Sequence, residues 1–350
     1  MTTLTPNPRQ IMVAMSGGVD SSVTAALLQQ RGYQVVGVYM RLSRADDQAQ
    51  QERARRIAQR LSLPLEVVDL ADAFQHQVLD SFSHAYQAGL TPNPCWLCNR
   101  TIKFGLLRAF GRDHLGIAAM ATGHYARTLP GPDGRVRLLT GLDPKKDQSY
   151  FLSGLGQEHL SGVTFPLGET TKEEVYQVAA ELGLSGLHSA ESQDICFLQG
   201  RDLASFFSDL PPRPGEFVTR AGECRGDHQG IFRYTVGQRR GIGIPDATPY
   251  YVIGLDAQRN QVVIGKEEDL WQDQLAVREM HWLAGSEPVL PHEFMVKIRY
   301  RHGAAPARVS RDDRGGYTIR FSDPQRAITP GQIAALYLGD EVIGSGAIDL

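Results

Sequence analysis

Three of the four cysteines in this sequence lie in motifs whose residue types suit covalent chemistry. Cys95 and Cys98 form a CxxC within TPNPCWLCNRTIKFG, residues 91–105, and Cys196 lies within SQDICFLQGRDL, residues 192–203. Four cysteines in 350 residues are too few for a disulfide scaffold. In a reducing compartment, such a pattern indicates catalysis or metal binding.

Cys98 is the cysteine whose sequence neighbours most favour a thiolate. We expect a helix to begin at Asn99, directly after Cys98, with Arg100 and Lys103 in its first turns. A helix N-terminus and nearby cations both stabilise a thiolate, so the sequence predicts a lowered pKa for the Cys98 thiol. Cys224 stands alone in a β-rich region and is expected to be incidental.

A glycine-rich turn near the N-terminus, VAMSGGVDSS at residues 13–22, has the composition of a phosphate cradle. Glycines let the backbone approach an anion, and the N–H groups at the start of the following helix can bind phosphate oxygens. The hydroxyls of Ser16, Ser21 and Ser22 can assist, while Asp20 is expected to hold Mg²⁺ or to shape the loop. The lysine of the Walker sequence is absent. The loop is therefore better suited to a pyrophosphate leaving group than to γ-phosphoryl transfer.

The elements that must position these motifs alternate between strand and helix. Apolar runs predict strands at residues 11–15, 35–40, 65–69 and 117–121. The segments between and after them predict helices at residues 22–30, 48–61, 72–88, 100–110 and 171–183. The predicted fold class is α/β, with a doubly wound parallel sheet. We expect a hairpin at residues 129–141 to be carried on this sheet domain.

Short β-branched segments separated by Pro and Gly dominate the second part of the chain, which predicts two small all-β barrels. We divide the chain into three predicted domains, at residues 1–205, 206–275 and 276–350.

The composition, 42% hydrophobic and 21% charged, is that of a globular protein. No apolar run is long enough to span a bilayer, and the N-terminus lacks the apolar core of a signal peptide, so we expect a cytoplasmic protein with no membrane partner. The net charge of −3 does not indicate a nucleic-acid binder. Residues 91–127 and 292–326 each carry a local excess of Lys and Arg, which suits a polyanion.

The motifs resemble those of a known family. The SGGVDS loop resembles that of the PP-loop ATP pyrophosphatases, which have a HUP-like domain. The chain as a whole resembles the tRNA-specific 2-thiouridylases, through MSGGVDSSV, TPNPCWLCNRTIKFG, ATGHYAR, KKDQSYFL, DICF, HQGIFRYTVGQRRGIGI, KIRYR and TPGQ. These stretches run from residue 13 to about residue 333 in the family's order.

The resemblance implies ATP-dependent 2-thiolation of the wobble uridine of tRNA. ATP, with Mg²⁺, would adenylate the uracil 2-oxygen, and a persulfide carried on Cys196 would supply sulfur, giving 2-thiouridine, AMP and pyrophosphate. Cys98 matches the partner cysteine that forms a disulfide with Cys196, which an external reductant then resets. The implied partners are the tRNA anticodon stem-loop and a persulfide donor such as a cysteine desulfurase or a sulfur-relay carrier, and we expect a monomer.

Further site residues follow from the resemblance, position by position. The residues assigned to ATP are Ala14, Met15, Ser16, Gly17, Gly18, Val19, Asp20, Ser21, Met40 and Gly123. The residues assigned to the flipped-out target base are Asn93, Pro94 and Cys95. Those assigned to tRNA are His124, Lys146, Asp147, Gln148, Arg299, Tyr300 and Gln332. His124 is also a candidate general base, and composition adds Arg233, Arg239 and Arg240 as phosphate contacts.

One position departs from the family pattern. Most relatives of this type carry Asp, assigned as a general base, where this sequence has Cys95. Cys95, Cys98 and Cys196 together resemble the three-cysteine set with which related thiolases hold a 4Fe–4S cluster, so a cluster route to the same product stands as an alternative. A PP-loop ligase acting on a small metabolite is a second alternative, and an RNA- or metal-binding module without activity is a third.

Overall fold

The computed structural model describes residues 9–43, 48–184, 186, 195–198, 203–208 and 210–349. Residues 192–194 and 199–202 of the motif around Cys196 lie outside the described residues, as do both chain ends. Within the described part of the chain, no helix is long and apolar enough to cross a membrane.

The N-terminal domain is built on a five-stranded parallel sheet, as the alternating pattern predicts. Its strands are β1 (Gln10–Ala14), β2 (Gln34–Arg41), β3 (Leu65–Asp69), β4 (Met120–Ala121) and β7 (Val163–Thr164). They lie in the order β3-β2-β1-β4-β7, so the chain reverses its direction of travel across the sheet beside β1. Open α/β sheets bind ligands at such a switch point, at the carboxyl ends of the strands. The glycine-rich loop follows β1 and lies there.

Helices cover both faces of this sheet. They are α1 (Val19–Gln30), α2 (Gln48–Arg60), α3 (Ala71–Phe74), α4 (Asp80–Gln87), α5 (Pro94–Cys98), α6 (Arg108–His114), α7 (Ser149–Leu152), α8 (Gln157–Leu160) and α9 (Lys172–Glu181). Two π-helical segments, Gln75–Leu79 and Asn99–Leu107, join α3 to α4 and α5 to α6.

Helix α9 ends and begins as the sequence predicts. Thr171 and Glu174 form the expected capping box, and Gly183 follows the helix with φ +64°.

The predicted hairpin at residues 129–141 is formed by β5 (Ala126–Pro130) and β6 (Val136–Thr140), but its location differs from the prediction. Instead of joining the parallel sheet, β6 pairs with the last strand of the chain, where Leu139 lies opposite Glu341. Arg137 forms an ion pair with Glu341 across this junction. The hairpin therefore extends the C-terminal barrel. The paired strands are about 200 residues apart in sequence, and local patterns do not reveal such a pairing.

A small mixed sheet, with antiparallel and parallel strand pairs, forms the middle of the chain. After α10 (Leu203–Phe206) come β8 (Gly215–Thr219), β9 (Cys224–His228), β10 (Tyr251–Asp256) and β11 (Gln261–Gly265), in the sheet order β10-β11-β8-β9. Short 3-10 turns occupy Ile231–Arg233 and Glu267–Leu270.

The C-terminal domain is a closed barrel. Its strands are β12 (Trp271–Val277), β14 (His292–Lys297), β15 (Ala305–Arg311), β16 (Tyr317–Arg326), β17 (Ile333–Leu338) and β18 (Glu341–Asp349), with β13 (His281–Trp282) paired outside against β18. Pairing of β12 with both β16 and β18 closes the ring. The predicted border at residues 275 and 276 falls inside β12.

Candidate active site

The turn between β1 and α1 has the geometry of an anion cradle. Gly17 takes φ +75°, and Gly18 is extended and caps α1. The hydroxyls of Ser21 and Ser22 donate to the Gly18 carbonyl oxygen at 3.1 and 2.8 Å, and the Ser16 N–H donates to Ser21 Oγ at 3.2 Å. Serine side chains therefore hold the loop rigid around the helix start, where backbone N–H groups favour an anion.

Two glycines allow neighbouring elements to close against this loop. A Cβ on Gly17 would lie 3.0 Å from the Gln50 carbonyl oxygen, because the first turn of α2 packs on the loop. A Cβ on Gly123 would lie 2.8 Å from the carbonyl carbon of Asp20. Gly123, which follows β4, thus lies against the loop, and Met40 near the end of β2 is partly buried one strand away.

Asp20 is held by residues that the sequence analysis missed. Lys172 Nζ lies 2.7 and 2.9 Å from the two carboxylate oxygens, and the Tyr125 hydroxyl donates to Asp20 Oδ1 at 2.8 Å. Lys172 is only 4% exposed. In this arrangement the carboxylate ties the loop to neighbouring elements, which is one of the two roles expected for Asp20. Its role as a Mg²⁺ ligand stays a prediction. The sequence signal for Lys172 was its place in TTKEE, residues 170–174, where it is the first residue of α9.

A second cation borders the loop on the α2 side. Arg53 lies next to Gly17, such that a Cβ on the glycine would be 3.3 Å from Arg53 Cβ. Arg53 Nε is buried and has no hydrogen-bond partner among the described residues. The loop lacks its own lysine, but Lys172 and Arg53 flank it from two helices.

The CxxC lies on α5, which begins earlier than predicted. Asn93 Oδ1 accepts a hydrogen bond from the Trp96 N–H at 3.1 Å and Pro94 takes the first helical position, so the cap is at Asn93 rather than near Asn99. Cys98 therefore lies at the end of the first helical turns and is 6% exposed. Cys95 is half-buried, and Cys196 is exposed.

The prediction of a lowered pKa for Cys98 is wrong. Burial raises the pKa of this thiol to about 12, and the opposing positive charge of Lys103 does not compensate. Burial likewise raises the pKa of Cys95 to about 11, with Cys196 adding to the rise. Desolvation outweighs nearby charge because the thiolate loses water on several sides. Both groups are neutral thiols at pH 7.

The three cysteines share one neighbourhood, since Cys196 influences the pKa of both Cys95 and Cys98. None of the four cysteines, all of which are described, is in a disulfide. Among the described residues, no group of three or more His, Cys, Asp or Glu side chains is arranged to hold a metal ion. The three thiols thus lie within electrostatic range of one another, without forming such a group among the described residues.

His124 is a neutral imidazole between two aromatic rings. Burial, with the charge of Lys103 as a smaller cause, lowers its pKa well below the usual value. Its Nδ1 lies 2.6 Å from Thr122 Oγ1, and its ring contacts those of Phe104 and Phe165. A neutral imidazole fits the role of a proton acceptor better than that of a cation for phosphate.

Several residues predicted to contact tRNA make internal contacts. Asp147 Oδ1 accepts hydrogen bonds from the N–H groups of Gly141 and Ser149, and the Gln148 side chain accepts one from the Tyr125 N–H. The Arg299 guanidinium donates to the carbonyl oxygens of Val236 and Ala327.

Two other predicted tRNA residues contact the N-terminal domain, Tyr300 through α7 and Gln332 through the loop before the CxxC. The Tyr300 ring packs on Phe151 at a centroid distance of 4.4 Å. Gln332 Nε2 donates to the Thr91 carbonyl oxygen at 2.8 Å. The structure thus brings the CxxC loop together with the C-terminal barrel, while Lys146 lies in a partly buried turn before α7.

Comparison with known proteins gives three family matches along the chain. Residues 9–200 match the tRNA methyl transferase HUP domain, residues 206–266 the tRNA methyl transferase PRC-barrel domain, and residues 272–348 the aminomethyltransferase β-barrel domain.

Full-length relatives carry a different name. A protein of Geobacter metallireducens named tRNA-specific 2-thiouridylase MnmA is 45% identical over 97% of this chain and 97% of its own length. Proteins with the same name from Synechococcus sp. and Magnetococcus marinus are 42% and 44% identical, over 98% and 97% of this chain and 95% and 99% of their own lengths.

Proposed function

This chain belongs to the tRNA-specific 2-thiouridylase family of tRNA sulfurtransferases, and we propose that it replaces the 2-oxygen of the tRNA wobble uridine with sulfur in an ATP-dependent reaction. One observation carries the proposal beyond the family name. A cradle suited to pyrophosphate and three cysteines within electrostatic range of one another occur in the same part of the chain. That pairing fits an enzyme that first activates an oxygen and then displaces it with sulfur.

The first step uses the loop after β1. The uracil 2-oxygen attacks the α-phosphorus of ATP and pyrophosphate leaves, which converts the oxygen into part of an AMP leaving group. The N–H groups at the start of α1 bind the departing pyrophosphate, and Lys172 and Arg53 supply positive charge on either side of it. A loop without a lysine becomes suited to this task because two neighbouring helices provide the cations.

The second step uses the cysteines. A donor loads a sulfur atom onto Cys196, the exposed thiol, as a persulfide. The terminal sulfur attacks the activated carbon, and AMP carries away the former carbonyl oxygen. Cys98 Sγ then attacks Cys196 Sγ, which breaks the persulfide S–S bond, leaves the second sulfur on the base and forms a Cys98–Cys196 disulfide. A dithiol reductant supplies the two electrons that restore both thiols.

Protonation limits this exchange. Because the pKa of Cys98 is about 12, its proton must be taken by a base as the S–S bond forms. We infer the neutral His124 and the Cys95 side chain as candidate acceptors. Cys95 replaces the usual acidic base, and its own raised pKa makes it the weaker candidate at pH 7.

A methyl transfer is the rival suggested by the family descriptions of the domains. Sulfur transfer is favoured because methyl transfer needs neither pyrophosphate release nor a set of thiols. Full-length relatives with a single consistent name also support thiolation.

The test is a reaction of the anaerobically purified protein with ATP, unmodified tRNA and a persulfide donor. We expect tRNA-dependent release of AMP and pyrophosphate, and 2-thiouridine on mass spectrometry of nucleosides. Cys196→Ser should abolish thiolation while leaving tRNA binding unchanged, whereas Cys224→Ser, which changes the other exposed thiol, should have no effect.

Three results would contradict parts of this proposal. A thiolation rate retained in Cys196→Ser would remove Cys196 from the mechanism. A methylated uridine, or pyrophosphate release driven by a small metabolite instead of tRNA, would replace the function itself. Thiolation that requires bound iron, measured by metal analysis and chelation, would favour the cluster route over the persulfide relay.

A further inference from the structure

The loop that leads into the CxxC is fastened to the C-terminal barrel more than 200 residues away in sequence. The Thr91 N–H donates to the Pro330 carbonyl oxygen at 2.8 Å, and Gln332 Nε2 donates to the Thr91 carbonyl oxygen at the same distance. Gln332 Nε2 also lies 3.4 Å from the Pro92 carbonyl oxygen. The segment before α5 is thus bound to the barrel through both the N–H and the carbonyl oxygen of Thr91.

The contact between Gly331 and the loop leaves no room for a side chain at position 331. Gly331 adopts φ +88°, and a Cβ there would lie 2.9 Å from Thr91 N and 3.0 Å from Leu90 Cβ. Thr91 itself is only 8% exposed. The barrel therefore touches the backbone of the loop directly at Gly331, in addition to the hydrogen bonds from the Gln332 side chain.

Trp96, which lies between Cys95 and Cys98, makes a second contact with the barrel. Trp96 Nε1 donates to Ser345 Oγ of β18 at 3.3 Å, and Ser345 Oγ donates to the Ser153 carbonyl oxygen at 2.8 Å. Ser345 is fully buried. The indole lies against Gly154, where a Cβ would overlap it. Because Trp96 separates Cys95 from Cys98, this contact fixes the rotation of α5.

We propose that the C-terminal barrel positions the cysteine helix, with Gln332 and Ser345 as positioning residues that orient Cys98 before RNA arrives. In this proposal Gln332 acts on the Thr91 peptide instead of on RNA. Only the kinetic readout of this inference rests on the proposed function.

The test compares three variants of the full-length protein. Gln332→Met keeps the length of the side chain and removes its hydrogen bonds, and Trp96→Phe removes the indole N–H. Gln325→Met is the matched control, since the same change is made in the same barrel at a partly exposed side chain that donates to the nearby Asp323 carbonyl oxygen. Alkylation of Cys98 by iodoacetamide is followed without RNA or ATP, relative to the exposed Cys224 as an internal reference.

We expect Gln332→Met and Trp96→Phe to raise the relative alkylation rate of Cys98 at least about threefold, because local opening exposes the buried thiol. In thiolation assays, kcat should fall roughly tenfold or more with the KM for tRNA unchanged, since small misplacements of reacting groups are costly. Gln325→Met should behave as the parent protein in both assays.

An unchanged alkylation rate with a raised KM for tRNA would overturn the inference and make Gln332 an RNA contact. If Gln332→Met does not fold, as judged by near-UV circular dichroism, Trp96→Phe alone tests the inference. An unchanged alkylation rate of Cys98 in Trp96→Phe would then overturn it. Absence of thiolation in the parent protein would remove the proposed function, whereas the alkylation rates would still decide the positioning role.

Discussion

The Asp20–Lys172 pair shows how one interaction can serve both the stability of a site and its chemistry. Lys172 is almost fully buried, while its partner carboxylate lies in the nucleotide loop with 28% of its side chain exposed. The rings of Tyr125 and Tyr176 lie 5.6 and 5.0 Å from Lys172 Nζ, which adds cation–π contacts. The ammonium group is thus held beside the loop in a fixed orientation. We expect its charge to favour phosphate there without reorganisation.

We predict that Lys172→Met lowers the free energy of unfolding by about 3 kcal/mol, because a partly buried carboxylate loses its cation. The same change should lower tRNA-dependent pyrophosphate release at least about a hundredfold. The double variant Asp20→Asn/Lys172→Met should recover most of the stability but not the activity. Urea unfolding and a pyrophosphate assay measure the two effects.

Lys266→Met is a suitable control for this experiment. Lys266 also pairs with an aspartate, Asp246 at 2.6 Å, and also lies over a tyrosine ring, but it belongs to the central domain. It should leave pyrophosphate release unchanged. Recovery of activity in the Asp20→Asn/Lys172→Met double variant would instead mean that Lys172 serves only as a counter-ion for Asp20.

At the scale of elements, the nucleotide loop depends on how closely α2 packs against it. Gly17 combines a left-handed backbone with a close approach, since its missing Cβ would lie 3.0 Å from Gln50 O and 3.3 Å from Ala54 N. These contacts are with backbone atoms, which cannot turn away. Gly134 has a similar φ, +79°, but nothing lies within 4 Å of a Cβ there.

This contrast separates backbone strain from displacement of a helix. Gly134→Ala should destabilise the protein by about 1 kcal/mol from the left-handed conformation alone. Gly17→Ala should cost more, and it should weaken ATP binding roughly tenfold because α2 and Arg53 move outward. Urea unfolding and calorimetric ATP titration provide the measurements. Equal stability losses with equal ATP affinities would show that the contact with α2 is unimportant.

The elements that could be predicted from the sequence are those set by local patterns. The parallel sheet, the loop after β1 and the capping box at Thr171 depend on periodicity and on residues a few positions apart. The pairing of β6 with β18, the Gln332–Thr91 hydrogen bond and the Lys172–Asp20 pair join distant segments. Local patterns can indicate the individual segments, but they do not specify which distant segment each one contacts.

The error over Cys98 has a related cause. Sequence neighbours revealed the cations near the thiol but not the burial that outweighs them. The predicted helix start was also displaced, because the role of Asn93 as a cap depends on its conformation before Pro94. Charge can be read from a sequence at short range, whereas desolvation is a property of the assembled fold.

The whole molecule carries a net charge of −3, so its attraction for a polyanion must come from a localised surface. Such a surface lies where the central sheet meets the barrel. A Cβ on Gly237 would lie within 4 Å of the guanidinium groups of Arg326 and Arg299. Burial lowers the pKa of His302, and the charges of Arg299, Arg326 and Lys297 lower it further. Arg239 and Arg240 are exposed on the turn that follows Gly237.

We therefore predict that tRNA binding weakens with salt in a way that depends on this turn. Each phosphate contact contributes about 0.9 to the slope of log K against log salt concentration, so Arg239→Gln/Arg240→Gln should reduce that slope by about 2. Binding should weaken equally for modified and unmodified tRNA, because phosphate contacts carry no base information. Arg220→Gln/Arg259→Gln removes two other exposed arginines of the central domain and should leave the slope unchanged. Equal slopes for the two double variants would show that RNA contacts the protein elsewhere, and fluorescence titrations across a range of salt concentrations would settle the matter.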